Sequence, residues 1–156
     1  MPRNDRLQIF HPTTITAKQI TWIPGTTATR EIRMQGLVNC SKVYVDHCSH
    51  GAGVFAACDV AQHEIVERGI VRRLPDTFDG NDCPYVLTWS DDRTVWAIGS
   101  GCSTYYNCSS DPNTEMHRDF ENDTFEIRAL RDIAKGEQLQ HIYKSLTWRS
   151  CFSDLA

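Results

Sequence analysis

Three segments of this 156-residue chain carry residue types that could serve a ligand. Gly51-Ala52-Gly53-Val54-Phe55-Ala56 sets two glycines just before a strand-like run, where missing side chains let a ligand approach the backbone. Alone, it reads more simply as a tight turn. Tyr105-Tyr106-Asn107-Cys108-Ser109-Ser110-Asp111-Pro112-Asn113 runs an aromatic pair into a polar loop, and the Asn107 carboxamide offers both a donor and an acceptor. The same stretch reads as an Asx-rich surface turn with two core tyrosines. Arg131-Asp132-Ile133-Ala134-Lys135-Gly136-Glu137-Gln138-Leu139, leading to Tyr143, is by itself a turn and a strand. His47-Cys48-Ser49-His50 suggests a metal, but zinc sites pair their ligands and no C-x2-C occurs, so no metal site is expected.

Positioning those segments requires a packed scaffold. A chain of this length with 40% hydrophobic residues fits one domain with one core, and its aromatic content argues against disorder. No run of 18 apolar residues occurs, and no apolar signal core follows Arg3, Asp5 and Arg6. The expectation is an intracellular protein, cytoplasmic or nuclear, neither secreted nor membrane-bound. Sixteen basic against twenty acidic side chains give a net charge of −4, which favours a basic partner over nucleic acid. The seven cysteines are expected as free, mostly buried thiols.

The elements read as short strands. Tyr85 to Trp89 and Thr94 to Ile98, β-branched and aromatic, flank the polar turn Ser90-Asp91-Asp92-Arg93 as a hairpin. Val43 to Val45, Val54-Phe55, Glu64 to Val71, Phe125 to Leu130 and Gln138 to Tyr143 read as further strands. No long window keeps an unbroken helical stripe, so one or two helical turns at most are expected. Residues 1–40, with an exposed turn at Pro24-Gly25, form an N-terminal extension, and 41–156 form the main domain.

In this order and spacing, the three segments resemble the SET domain of protein-lysine methyltransferases, whose pattern runs G-x-G-V-F-A, Y/F-x-N-H-S-x-x-P-N and R-D-I-x-x-G-E-E-L-x-x-x-Y. The likeness spans about residues 43 to 152. The ending Tyr143-Lys144-Ser145-Leu146-Thr147-Trp148-Arg149-Ser150-Cys151-Phe152 is similar to the tail of short SET proteins that lack a cysteine-rich zinc segment. The resemblance implies a mainly β fold of several small sheets with a C-terminal pseudoknot and few short helices. It implies S-adenosyl-L-methionine as cofactor, held by Gly51, Ala52, Gly53, Tyr106, Asn107 and Cys108, with Trp148 or Phe152 stacking on adenine. It implies Tyr143 as the catalytic residue and Tyr85 and Tyr105 as walls of a lysine channel. Tyr85 reads equally as a half-buried hairpin residue.

The implied activity is methyl transfer to a lysine of a basic protein or peptide, a histone tail being the family example. Homodimerisation is left open. One departure carries weight: the family's N-H-S reads Asn107-Cys108-Ser109, and a thiol is a poor hydrogen-bond substitute for the imidazole that braces the knot. The alternative is therefore a weak or inactive SET-fold module that binds cofactor or peptide without turnover.

Overall fold

The computed structural model describes residues 36–155, so the turn at Pro24-Gly25 and most of the N-terminal extension lie outside the described residues. Strand β1 (Val43–Cys48) and β2 (Gly51–Ala56) form a hairpin closed at Ser49-His50, with Gly51 at a φ of 96°. A side chain would strain that backbone; glycine does not. The two glycines of the first segment thus stand inside β2 rather than ahead of it. Strand β3 (Ile65–Arg73) is the spine of a five-stranded sheet in which β4 (Leu87–Thr88), β5 (Trp96–Gly99), β3, β8 (Thr124–Ala129) and β7 (Thr114–Asp119) lie in that order. The other sheet has four strands, in the order β1, β2, β9 (Gln138–His141) and β6 (Asn107–Cys108). A 3-10 helix, Ser150–Leu155, is the only helix among the described residues.

Local chemistry explains these elements. β8 alternates strictly, burying Phe125, Ile127 and Ala129 and turning Thr124, Glu126 and Arg128 outward. The expected hairpin forms with Leu87 opposite Ala97 and Thr88 opposite Trp96. Its turn is built by the Ser90 hydroxyl, which accepts from the backbone N–H groups of Thr94 and Val95 at 3.1 Å each, while Arg93 takes a φ of 65°. Tyr85 lies before β4 and is 69% exposed, so it is not the half-buried strand residue of the alternative reading.

Two strands carry no apolar pattern. β7 has one apolar residue, Met116, and exists because β8 offers it a continuous antiparallel partner from Thr114 opposite Ala129 to Asp119 opposite Thr124. β6 is a two-residue parallel pairing with β9. β9 in turn ends at His141, short of the expected Tyr143, because the chain enters a series of turns in which Leu146 N–H donates to the Tyr143 carbonyl. The thiols are less buried than expected: Cys58 is exposed, and the other six are half-buried.

The core joins both sheets through Val54, Val66, Phe125, Ile127, Ile133 and Leu139. Where β3 crosses β8, Gly69 lies opposite Phe125, and a Cβ there would come within 2.2 Å of the ring's Cζ. The ring fills the space that glycine leaves. Among the described residues, no helix is long and apolar enough to cross a membrane.

Gly69→Ala should therefore overpack the junction of β3 and β8 and lower the unfolding free energy by about 1 to 3 kcal/mol. Urea denaturation followed by tryptophan fluorescence measures this. An unchanged midpoint would mean that Phe125 can swing aside without loss.

Candidate functional site

A cleft of about 790 Å³ is lined by Ala52, Tyr85, Tyr105, Asn107, Tyr143 and Phe152, together with residues such as His50, Leu74 and Ile98. Six of the residues singled out from the sequence thus converge, drawn from β2, β6, the chain before β4, and the two segments after β5 and β9. Its size is that of a small-molecule site.

Asn107 stands at the end of the cleft formed by β2 and β6. Its side-chain N–H donates to the Ala52 carbonyl at 3.0 Å and approaches Cys48 Sγ at 3.4 Å. Among the described residues nothing donates to its amide oxygen, which is the group it can still offer. Gly53 is needed for this arrangement, since a Cβ would come within 2.6 Å of Gln138 Nε2 and 3.1 Å of Asn107 Nδ2. The second glycine therefore makes room for the protein's own carboxamides. Gly51 is exposed with nothing within 4 Å of a Cβ position.

Tyr143 joins the cleft to the core. Its hydroxyl donates to the Tyr106 carbonyl at 2.9 Å, and its ring packs edge-on to His141 at 5.6 Å and against Phe152 at 5.0 Å. Burial, with a smaller contribution from Cys108, pushes this phenol up to about 12. At neutral pH it is a neutral hydroxyl that donates, and not a base. Tyr106 turns its ring into the core at 1% exposure, stacks on His141, and donates its hydroxyl to Glu67 at 2.9 Å. It meets the cleft's chemistry through its carbonyl.

The structure does not bring Trp148 to this cleft. Its ring packs against Trp96 at 6.2 Å beneath the Arg93 guanidinium and lines a separate depression. Cys108 pairs with His141 across β6 and β9 without lining the cleft. Two buried residues had no sequence signal as isolated polar letters. Arg149 holds the carbonyls of Val86 (3.0 Å), Gly80 (2.6 Å) and Cys83 from between the rings of Trp96 and Phe152. His141, nine-tenths buried, lies between Tyr106 and Tyr143.

One group among the described residues has the closeness of metal ligands: Cys40, Glu67 and Cys102, whose ligand atoms lie within 4.8 Å of one another. Here Glu67 accepts from Cys102 N–H (2.8 Å), the Tyr106 hydroxyl and Cys40 Sγ (3.6 Å). Burial raises the carboxyl and both thiols, Cys102 to about 12. The group is a hydrogen-bonded cluster in which the carboxylate oxygens already have protein donors. The residues His47, Cys48 and His50 do not converge in this way.

Aromatic faces line the cleft, the amide oxygen of Asn107 is left to accept from a ligand donor, and no lysine or arginine lines it. Residues 51–144 match the family model described as SET domain. No curated protein matches the chain. Among solved structures, a Plasmodium falciparum candidate histone methyltransferase superposes with a TM-score of 0.55 at 23% identity, over 69% of this chain and 96% of that one. A humanized mutant of the Chaetomium thermophilum Polycomb Repressive Complex 2, bound to an inhibitor, gives 0.55 at 21% identity, over 66% of this chain and 15% of that one. The autoinhibited ctPRC2 bound to S-adenosylmethionine gives 0.56 at 21% identity, over 67% and 15%. At these identities the likeness is one of fold.

His141 makes the site's stability depend on acid. Burial, and secondarily the Arg118 charge, lower its pKa from 6.5 to about 4, so the unfolded chain binds a proton more readily than the folded one. Its contribution is present above 6.5 and is lost as pH falls through the folded value near 4. Between those limits wild type should lose stability more steeply than His141→Phe, as read from denaturation midpoints across the pH series. Parallel curves would show that the ring is protonated in the fold.

Proposed function

The chain belongs to the SET-domain family, and from that premise we propose that it is an S-adenosylmethionine-dependent protein-lysine N-methyltransferase, with residues 41–156 as its SET domain. The observation that carries the reading is the convergence of Ala52, Tyr105, Asn107, Tyr143 and Phe152 in the lining of one cleft. In this reading β9 and the segment to Tyr143 form the knot beneath the loop of residues 107–113. The backbone at Ala52, the Asn107 amide oxygen and the Phe152 ring hold the cofactor. When bound, that cofactor supplies a methyl group already activated on sulfur, so no metal is required.

The chain's own residues then have two tasks. The first is to present a neutral amine: a free lysine has a pKa of about 10.4, and covering it against the rings of Tyr85 and Tyr105, both exposed in the free chain, lowers it. The second is alignment, which falls to the Tyr143 hydroxyl, held by the Tyr106 carbonyl and kept protonated by burial. The substrate is a basic segment of a protein, with histone tails as the first class to test. The acidic net charge supports it, as does the short edge strand β4 beside Tyr85, which leaves a strand edge for an extended peptide. The alternative, a module that binds cofactor or peptide without turnover, is favoured by Cys108 standing at the family's histidine.

Incubation of the chain with labelled S-adenosylmethionine and a histone panel separates the two: label transfer supports the enzyme, and calorimetric cofactor binding without transfer supports the module. Absence of both would remove the cofactor assignment. Tyr143→Phe should reduce turnover about a hundredfold or more while leaving cofactor affinity nearly unchanged. It should also cost about 1 kcal/mol of stability, because the hydroxyl gives up its bond to Tyr106. A Phe variant with wild-type turnover would end the catalytic assignment.

A further inference from the structure

A second cavity, of about 180 Å³, shares Tyr85, Val86, Tyr143 and Phe152 with the cleft and runs along β7 and β9. Much of its wall is apolar, including Leu87, Met116 and Leu130. Ser103, Arg118, His141 and Arg149 also line it, and each carries a buried polar atom without a partner: Ser103 Oγ, Arg118 Nε, His141 Nδ1 and Arg149 Nε. Among the described residues only one other such atom occurs, Gln138 Nε2. Native interiors leave few polar atoms unpaired, so four around one cavity point to a ligand that pairs them.

The charges say which kind. Arg118 Nη1 reaches only the carbonyl and hydroxyl of Thr88, at 3.2 and 3.4 Å, and Arg149 spends its Nη groups on main-chain carbonyls. Neither guanidinium meets a carboxylate among the described residues. Lys144 adds a third cation to the wall, and its one carboxylate, Glu115, is exposed and bonded to His117 at 2.7 Å. Arg149 is buried, Arg118 is half-buried with its Nε fully enclosed, and Lys144 is exposed; guanidinium nitrogens withdrawn from water without a counter-charge call for an anion. A guanidinium N–H, a hydroxyl and an imidazole N–H are donors of the planar, short-range kind that a carboxylate takes. The narrow apolar wall suits a carboxylate on a short hydrocarbon stem better than a phosphate, whose further oxygens would lie against carbon.

We propose that this cavity is a binding site for a carboxylate carried on a short apolar stem, with Arg118 Nε, Ser103 Oγ and His141 as its donors. The carboxylate comes from a free small acid or from an acidic side chain of a docked polypeptide; the chemistry is the same. The proposal does not depend on methyl transfer.

The test uses the full chain at neutral pH with sodium propionate, and propionamide, sodium chloride and sodium phosphate as comparisons. Propionate should raise the melting temperature and show saturation transfer to its methyl protons by NMR, and the comparisons should do neither. Arg118→Met should fold, since it removes a half-buried charge that meets no carboxylate among the described residues, and should weaken propionate binding about tenfold or more. Ser103→Ala, a smaller change, should weaken it in the same direction. A capped Ala-Glu-Ala peptide that binds where its Gln counterpart does not assigns the carboxylate to a polypeptide, and propionate binding alone assigns it to a free acid. Absent saturation transfer, an equal response to propionamide, chloride or phosphate, or undiminished binding in the variants would overturn the proposal.

Discussion

The insertion of β9 between β2 and β6 is the constraint on which the site depends. Each neighbour contributes only two residue pairs: Val54 with Leu139 and Phe55 with Gln138 on one side, Asn107 with Gln140 and Cys108 with His141 on the other. Pairings that short do not hold a strand by themselves. The buried Asn113 carboxamide completes them, donating to Glu137 Oε1 and the Gln138 carbonyl and accepting from Gln140 N–H, at 2.8 to 2.9 Å. Thr114 adds a bond to the Gln140 carbonyl at 2.9 Å. Since both side chains are almost fully buried, losing either would leave main-chain groups of β9 unpaired as well.

From that strand a line of hydrogen bonds runs into the core. The Tyr143 hydroxyl donates to the Tyr106 carbonyl, the Tyr106 hydroxyl donates to Glu67, and Glu67 also receives Cys102 N–H. Glu67 is 1% exposed, and burial raises its pKa. Three donors and a raised pKa make its burial tolerable where a bare carboxylate would not be. The hydroxyl at the cleft is thereby tied to the buried interior of the described residues, which restricts its motion.

Polar burial recurs around the same centre. Arg149, Arg118 and His141 each bring a polar head among aromatic or aliphatic neighbours; the two guanidinium groups are satisfied only in part by main-chain carbonyls, and His141 Nδ1 has no partner among the described residues. Arg149 closes the C-terminal segment over residues 80–86 because carbonyls that end in no strand still need donors. The price is a set of unpaired nitrogens beside a cavity.

The sequence by itself determined the parts whose signals are local. The alternation of Phe125, Ile127 and Ala129, the turn chemistry of Ser90 to Arg93, and the ordered Gly, Asn and Tyr motifs were legible because each rests on neighbouring residues. The convergence of Ala52, Asn107 and Tyr143 was legible only through resemblance, since nothing in their spacing brings them together. Tertiary structure alone decided that Tyr106 turns inward to Glu67, that Phe152 rather than Trp148 reaches the cleft, and that polar β7 is a strand at all. It also decided that Arg149 and His141 are enclosed. A strand with one apolar residue takes its identity from the partner that supplies its hydrogen bonds, and a buried cation from the walls around it; neither partner nor wall is adjacent in the chain.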